Sequence, residues 1–221
     1  MFRVKICGIT NQSDAADAAR AGADAIGLNF YPHSRRCVPL DEAERIASSL
    51  PDSVLKVGVF VNAPAADIRR LDDALRLDFI QLHGDEPPDF LHQFDPVRLI
   101  RALRIGPDGL TPVWDYLRRC VSLGCRPAAV LLDAHRAGQY GGTGKTADWA
   151  VAAEYPGHGG PPLVLAGGLT PDNVAAAIRV VGPSAVDTAS GVEISPGQKD
   201  PAAVAAFVAA ARDALADISR S

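Results

Sequence analysis

Two ionisable side chains of this chain stand where short apolar runs end: Cys7 closes the run at 3–7, and Asp133 follows the run at 128–132. A carboxyl and a thiol on two sides of one small molecule suit general acid–base chemistry, the acid protonating an oxygen while the base takes a proton from carbon. Each has a plainer reading, because a free cysteine is most often a small buried hydrophobe and a loop aspartate most often a cap. Three glycine-rich stretches follow later runs, around Gly142 and Gly144, at Gly167-Gly168, and at Ser190-Gly191. Glycine lets backbone N–H groups approach an anion closely, and a following helix N-terminus favours negative charge. One such cluster would read as a tight turn, but three in succession read as a phosphate site. Arg36, in the stretch Ser34-Arg35-Arg36, adds a planar fork able to grip a carboxylate, whereas Arg35 reads as a solvated charge.

Elements must bring these residues together. Apolar, β-branched runs recur at 3–7, 24–30, 54–60, 78–82, 97–102, 128–132, 163–166 and 185–187. Segments with helical periodicity lie between them, among them 13–21, 40–50, 65–75 and 172–180. Thr170-Pro171-Asp172 reads as a cap with proline at the first helical position. Strands apolar throughout, joined by helical crossovers, mean a parallel sheet covered on both faces. Eight such units without a linker favour one closed (β/α)8 barrel, a TIM barrel of eight parallel strands in a single domain over residues 1–221. An open doubly wound sheet is the alternative, since strand order is not visible in periodicity. In a barrel, residues just after the strands form the site, and strands one and six lie three steps apart across its mouth. Strands six to eight carry the glycine clusters, so these become neighbours.

Composition removes other partners. The chain has 221 residues, 48% of them hydrophobic, with a net charge of −4 and a pI near 5.7. No positive field is available for nucleic acid or anionic lipid. No apolar run reaches the ~18–20 residues of a membrane span, and the start lacks a secretory h-region. Cys7, Cys37, Cys120 and Cys125 show neither zinc-ligand spacing nor a disulfide framework, which points to a reducing cytoplasm and no metal. Gly142-Thr143-Gly144-Lys145-Thr146 looks like the end of a nucleotide-binding P-loop, but Gln139 stands where that motif needs its first glycine. Of the histidines, His83 reads equally as an orienting group or a satisfied core residue, while His33, His92, His135 and His158 have no partner suggested by spacing.

The motifs resemble the phosphoribosylanthranilate isomerase family from end to end. They are Lys5-Ile6-Cys7-Gly8-Ile9-Thr10, Ser34-Arg35-Arg36, Val57-Gly58-Val59-Phe60 and Gln81-Leu82-His83-Gly84-Asp85-Glu86, then the stretch at 141–149, Ala166-Gly167-Gly168-Leu169, the stretch at 187–193, and Pro196-Gly197-Gln198-Lys199-Asp200. Ala147 stands where the family often has an aromatic, and Cys37 where it often has a larger residue. The resemblance implies an Amadori rearrangement of N-(5-phosphoribosyl)anthranilate in tryptophan biosynthesis, with Cys7 as base and Asp133 as acid. It further implies Arg36 at the anthranilate carboxylate, with Asp187 lining the site and Gly142, Gly144, Gly167, Gly168, Ser190 and Gly191 around the phosphate. The implied partner is this small-molecule substrate, and the assembly a monomer or homodimer.

That chemistry sets requirements. Asp133 has to be neutral with substrate bound, although a free carboxyl titrates near about 4. Cys7 has to be lowered from the about 8.5 of a free thiol to act as a thiolate. Only protons move and the substrate nitrogen is the electron sink, so no cofactor is expected. A histidine-pathway isomerase would carry aspartate in place of Cys7, and an indole-glycerol-phosphate synthase several strand-end lysines. A sugar-phosphate sensor would need neither Cys7 nor Asp133.

Overall fold

The computed structural model describes residues 1–133, 149–156 and 159–220. Eight strands, β1 (Val4–Cys7), β2 (Ala25–Asn29), β3 (Leu55–Phe60), β4 (Phe79–Leu82), β5 (Leu99–Arg104), β6 (Ala129–Asp133), β7 (Leu163–Ala166) and β8 (Ala185–Thr188), close in sequence order. Every neighbouring pair is parallel, and β1 meets β8 with Lys5 opposite Asp187. The closed (β/α)8 architecture read from the sequence is therefore the one observed, and the open sheet is excluded.

Alternation along each strand divides the apolar residues between two cores. Ala25, Val57, Ile100, Leu131, Val164 and Ala185 pack inside the barrel with Phe2. Ile6, Leu28, Ile80, Leu132, Leu165 and Val186 point outward and meet the helices. Those helices are α1 (Gln12–Arg20), α2 (Leu40–Ser49), α3 (Ala65–Leu75), α4 (Thr111–Leu123), α5 (Trp149–Ala152), α6 (Val174–Val181) and α7 (Pro201–Ile218). Ile46, Ile68 and Ile178 are fully buried on this layer, each worth about 1.5–3 kcal/mol of transfer free energy. Local signals set the helix ends. Asn11 caps α1 through the Asp14 amide at 2.8 Å, Asp200 caps α7 through Ala202 and Ala203, and Gly124 and Gly182 end α4 and α6 in the left-handed region.

Three local features differ from the sequence reading. The fourth crossover is built from 3₁₀ turns at Pro88–Gln93 and Pro96–Arg98. Asp95 accepts from the Val97 amide and holds the second turn, so β5 begins at Leu99, not at Val97. Helix α6 starts at Val174, after Pro171, because Asn173 accepts from the Thr170 amide and donates to the Gly168 carbonyl, folding 170–173 into a turn. A short antiparallel hairpin, β9 (Glu193–Ser195) with β10 (Gln198–Lys199), intervenes between β8 and α7.

Candidate active site

Strand period places the chemistry. On β1, Lys5 and Cys7 share the inward face, and Asp187 joins them from β8 and His83 from the end of β4. Asp133, the last residue of β6, follows Ala129 and Leu131 of the inner core and so takes the inward face at the mouth. Cys7 and Asp133 thus end strands three steps apart through β8 and β7. Cys7, the last residue of β1, is 8% exposed.

Around Cys7 the structure assembles charges that spacing did not pair. Lys5, fully buried, donates to Asp187 at 2.8 Å. Lys199, from β10, donates to the Cys7 carbonyl at 2.6 Å, the Ala189 carbonyl at 3.1 Å and Glu193 at 2.8 Å. Arg36 engages Glu193 side-on, Nε to Oε1 at 2.8 Å and Nη2 to Oε2 at 2.6 Å. Its stem crosses Gly8, with Cδ 2.5 Å from where a β-carbon on that residue would stand, so the guanidinium lies beside the Cys7 strand end. Cys37 sits half-buried behind it, its backbone bridged to Asn29.

The electrostatics correct one expectation. Burial pushes the Cys7 thiol up, Lys5 and Lys199 pull it down, Asp187 pushes it up again, and the net direction is upward rather than down. Desolvation wins because the sulfur is almost out of water. Burial also works against the Glu193 carboxylate, but hydrogen bonds from Arg36 and Lys199 outweigh it and hold Glu193 below the ordinary range. On the opposite side, burial lowers the His83 imidazole despite Asp133 and Asp187 nearby, so the ring is neutral near pH 7. Its Nδ1 pairs with Gln81 Nε2 at 2.9 Å, and with the amide donating, the ring proton is left on Nε2.

The loops after β7 and β8, expected around the phosphate, touch each other. Gly167 and Gly168 follow β7 with φ of 96° and 67°, a conformation side chains resist. Ser190 and Gly191 open a 3₁₀ turn after β8, and a β-carbon on Gly191 would overlap the Leu169 carbonyl. Thr188 Oγ1 donates to that same carbonyl at 2.7 Å, tying the loops together. Gly168 and Ser190 are exposed at the surface of this sector. Gly142 and Gly144 lie outside the described residues.

Lys5, Gln81, Glu193 and Lys199 lie inside the motifs, but residue type and spacing alone assign them no role. The signal for Lys5 was present: a cation at an inward position of an apolar strand, two residues before a candidate base, has to find a partner. Glu193 and Lys199 carried no comparable local signal. Among the described residues no group of His, Cys, Asp and Glu side chains is arranged to hold a metal ion.

Comparison with known proteins agrees with this geometry. Residues 4–210 match the family model described as N-(5'phosphoribosyl)anthranilate (PRA) isomerase. An N-(5'-phosphoribosyl)anthranilate isomerase of Neisseria gonorrhoeae is 47% identical over 210 residues, 95% of this chain and 96% of the relative. One from Geobacter metallireducens is 46% identical over 213 residues, 96% of this chain and 100% of the relative. The crystal structure of phosphoribosyl anthranilate isomerase from Thermotoga maritima superimposes with a TM-score of 0.81 at 40% identity, covering 96% of this chain and 100% of the other. A further isomerase structure, in complex with reduced 1-(o-carboxyphenylamino)-1-deoxyribulose 5-phosphate, has a TM-score of 0.79 at 37% identity, with 96% and 100% covered. With its motifs on the strand ends of a closed barrel, this chain belongs to the N-(5'-phosphoribosyl)anthranilate isomerase family.

Proposed function

We propose that Cys7 and Asp133 divide the acid–base work of the isomerisation of N-(5-phosphoribosyl)anthranilate in tryptophan biosynthesis. The observation that carries this reading is their placement: two ionisable groups end inward-facing positions of strands β1 and β6, on either side of the glycine loops of β7 and β8. Asp133 gives a proton to the furanose ring oxygen as the anilino nitrogen lone pair expels it, leaving an open-chain iminium. That iminium acidifies the adjacent C2–H, which Cys7 removes to give an enolamine. Tautomerisation returns a proton to C1 as the C2 hydroxyl becomes a ketone, so the product is an isomer and no electrons leave the molecule.

The substrate's two anions find opposite ends of the site. The neighbour solved with the reduced product carries a carboxyphenyl group at one end and a phosphate at the other. Arg36 beside Cys7 suits the carboxylate, and backbone N–H groups near Gly167, Gly168, Ser190 and Gly191, with those near Gly142 and Gly144, suit the phosphate. Asp187, the carboxylate in the chain's motifs that comes nearest to a second candidate base, is committed to Lys5 and reads as a supporting group.

Steady-state kinetics following the loss of substrate fluorescence test the roles. Cys7→Ser and Asp133→Asn should each lower kcat by about 10²–10⁴-fold with KM far less changed. Near wild-type turnover by Cys7→Ser would end the assignment of the base. We further read the chain as one catalytic domain over residues 1–221 in a cytoplasmic setting, working as a monomer or homodimer. Among the described residues no helix is long and apolar enough to cross a membrane. A Thermotoga maritima neighbour, 37% identical, is described as monomers generated from a dimeric enzyme, and sedimentation decides the state here.

A further inference from the structure

The proposed reaction asks for a thiolate at a residue where burial favours the thiol. Three cations surround that sulfur, and they are not equivalent. Lys199 has given its three protons to the Cys7 carbonyl, the Ala189 carbonyl and Glu193. Arg36 is turned side-on to Glu193. Lys5 is the exception: of its three protons one goes to Asp187, and its ammonium is the cation that pulls most strongly on the Cys7 sulfur. The backbone opposite confirms the closeness. A β-carbon on Gly27, in β2, would stand 2.7 Å from Cys7 Sγ and 3.2 Å from Lys5 Cε, so sulfur and lysine terminus share one pocket against bare glycine backbone.

We infer that Lys5 is the positioning residue of the base, its buried ammonium serving as the counter-ion of the Cys7 thiolate while Asp187 holds it in place. The inference rests on the reading of Cys7 as the base. A fully buried cation next to an unfilled anionic position supplies the stabilisation that water cannot give at this depth. Asp187 has a double effect, anchoring the ammonium and repelling the thiolate, so it has to stay paired for the arrangement to work. The other charged or titratable neighbours are Arg36 in the loop after β2, Glu193 of β9 and Lys199 of β10, with His83 and Asp133 at the ends of β4 and β6.

Thiolate ultraviolet absorbance, taken as the difference between a chain and its Cys7→Ser counterpart, reads the Cys7 titration without reference to turnover. In Lys5→Met the midpoint should rise by at least about one pH unit, and kcat near neutrality should fall at least about tenfold. Turnover should recover as pH rises through the new midpoint, which a loss caused by misfolding would not do. Should Lys5→Met fail to fold with Asp187 left unpaired, the comparison moves to Lys5→Met/Asp187→Asn against Asp187→Asn. The double variant is then expected to titrate at the higher pH. An unchanged midpoint in a folded lysine variant would overturn the pairing. Full activity in Cys7→Ser would overturn the base reading instead, and the titration would still report whether Lys5 and Cys7 are paired.

Discussion

Two arginine–glutamate pairs stand at the C-terminal end of this barrel, and they differ in what they leave unspent. In the first, Arg101 of β5 and Glu86 after β4 are buried to 4% and 3% side-chain exposure. The Arg101 fork donates to the carbonyls of Leu82, Ala102 and Gly84 at 2.7–2.9 Å and lies over the Tyr116 ring, while Glu86 accepts the amides of Asn62 and Gly84. Nε is its one buried polar atom without a partner among the described residues. In the second, Arg36 is 26% exposed and bonds Glu193 through Nε and Nη2, with no other acceptor on its guanidinium among the described residues. The first pair is closed on backbone and fastens the loops after β3 and β4. The second is partly exposed and, among the described residues, held by Glu193 alone, which suits the carboxylate proposed for it. A buried guanidinium whose terminal nitrogens are spent on backbone carbonyls fastens loops, whereas one held by a single carboxylate and partly exposed suits a binding role.

The comparison can be broken by substitution. Glu86→Gln leaves Arg101 buried without its counter-charge, so urea denaturation should show a loss of about 3–5 kcal/mol, with kcat per folded molecule unchanged. Arg36→Lys should do the reverse, costing about 1–3 kcal/mol in kcat/KM through the lost fork with little change in denaturation midpoint. If Arg36→Lys destabilised the fold as much as Glu86→Gln while binding substrate normally, the two pairs would have the same role.

Acid sharpens the contrast with the smallest effect. Glu193 is held below the ordinary carboxylate range, so its contribution to stability is present above the unfolded-state value and fades as pH falls through the depressed folded value. In Arg36→Met one of its two cationic partners is gone, and the acid side of a melting-temperature profile should begin to fall at higher pH than in the unchanged chain. Superimposable profiles would mean that Lys199 alone sets the ionisation of Glu193.

Strand and helix identities were legible because each depends on neighbours a few residues away. The limits of α3 follow from its apolar period, and β7 from its run of Leu163, Val164 and Leu165. Errors arose where a side chain folded the backbone on itself, as Asp95 does before β5 and Asn173 before α6. The ends of β1 and β6 likewise marked Cys7 and Asp133 before any tertiary information. The direction in which Cys7 is shifted was not legible, because burial depends on what covers the sulfur and not on its sequence neighbours.

From the sequence alone came the eight units, the thiol and carboxyl at strand ends, the glycine loops and the family resemblance. Tertiary structure decided the pairings: Arg36 with Glu193 across 157 residues, Lys5 with Asp187 across 182, and Lys199 with the Cys7 carbonyl across 192. All three span the seam where β8 closes on β1. Periodicity is a property of one element at a time, whereas that seam is set by the register in which the first strand meets the last, and partners so far apart in the chain leave no local trace of each other.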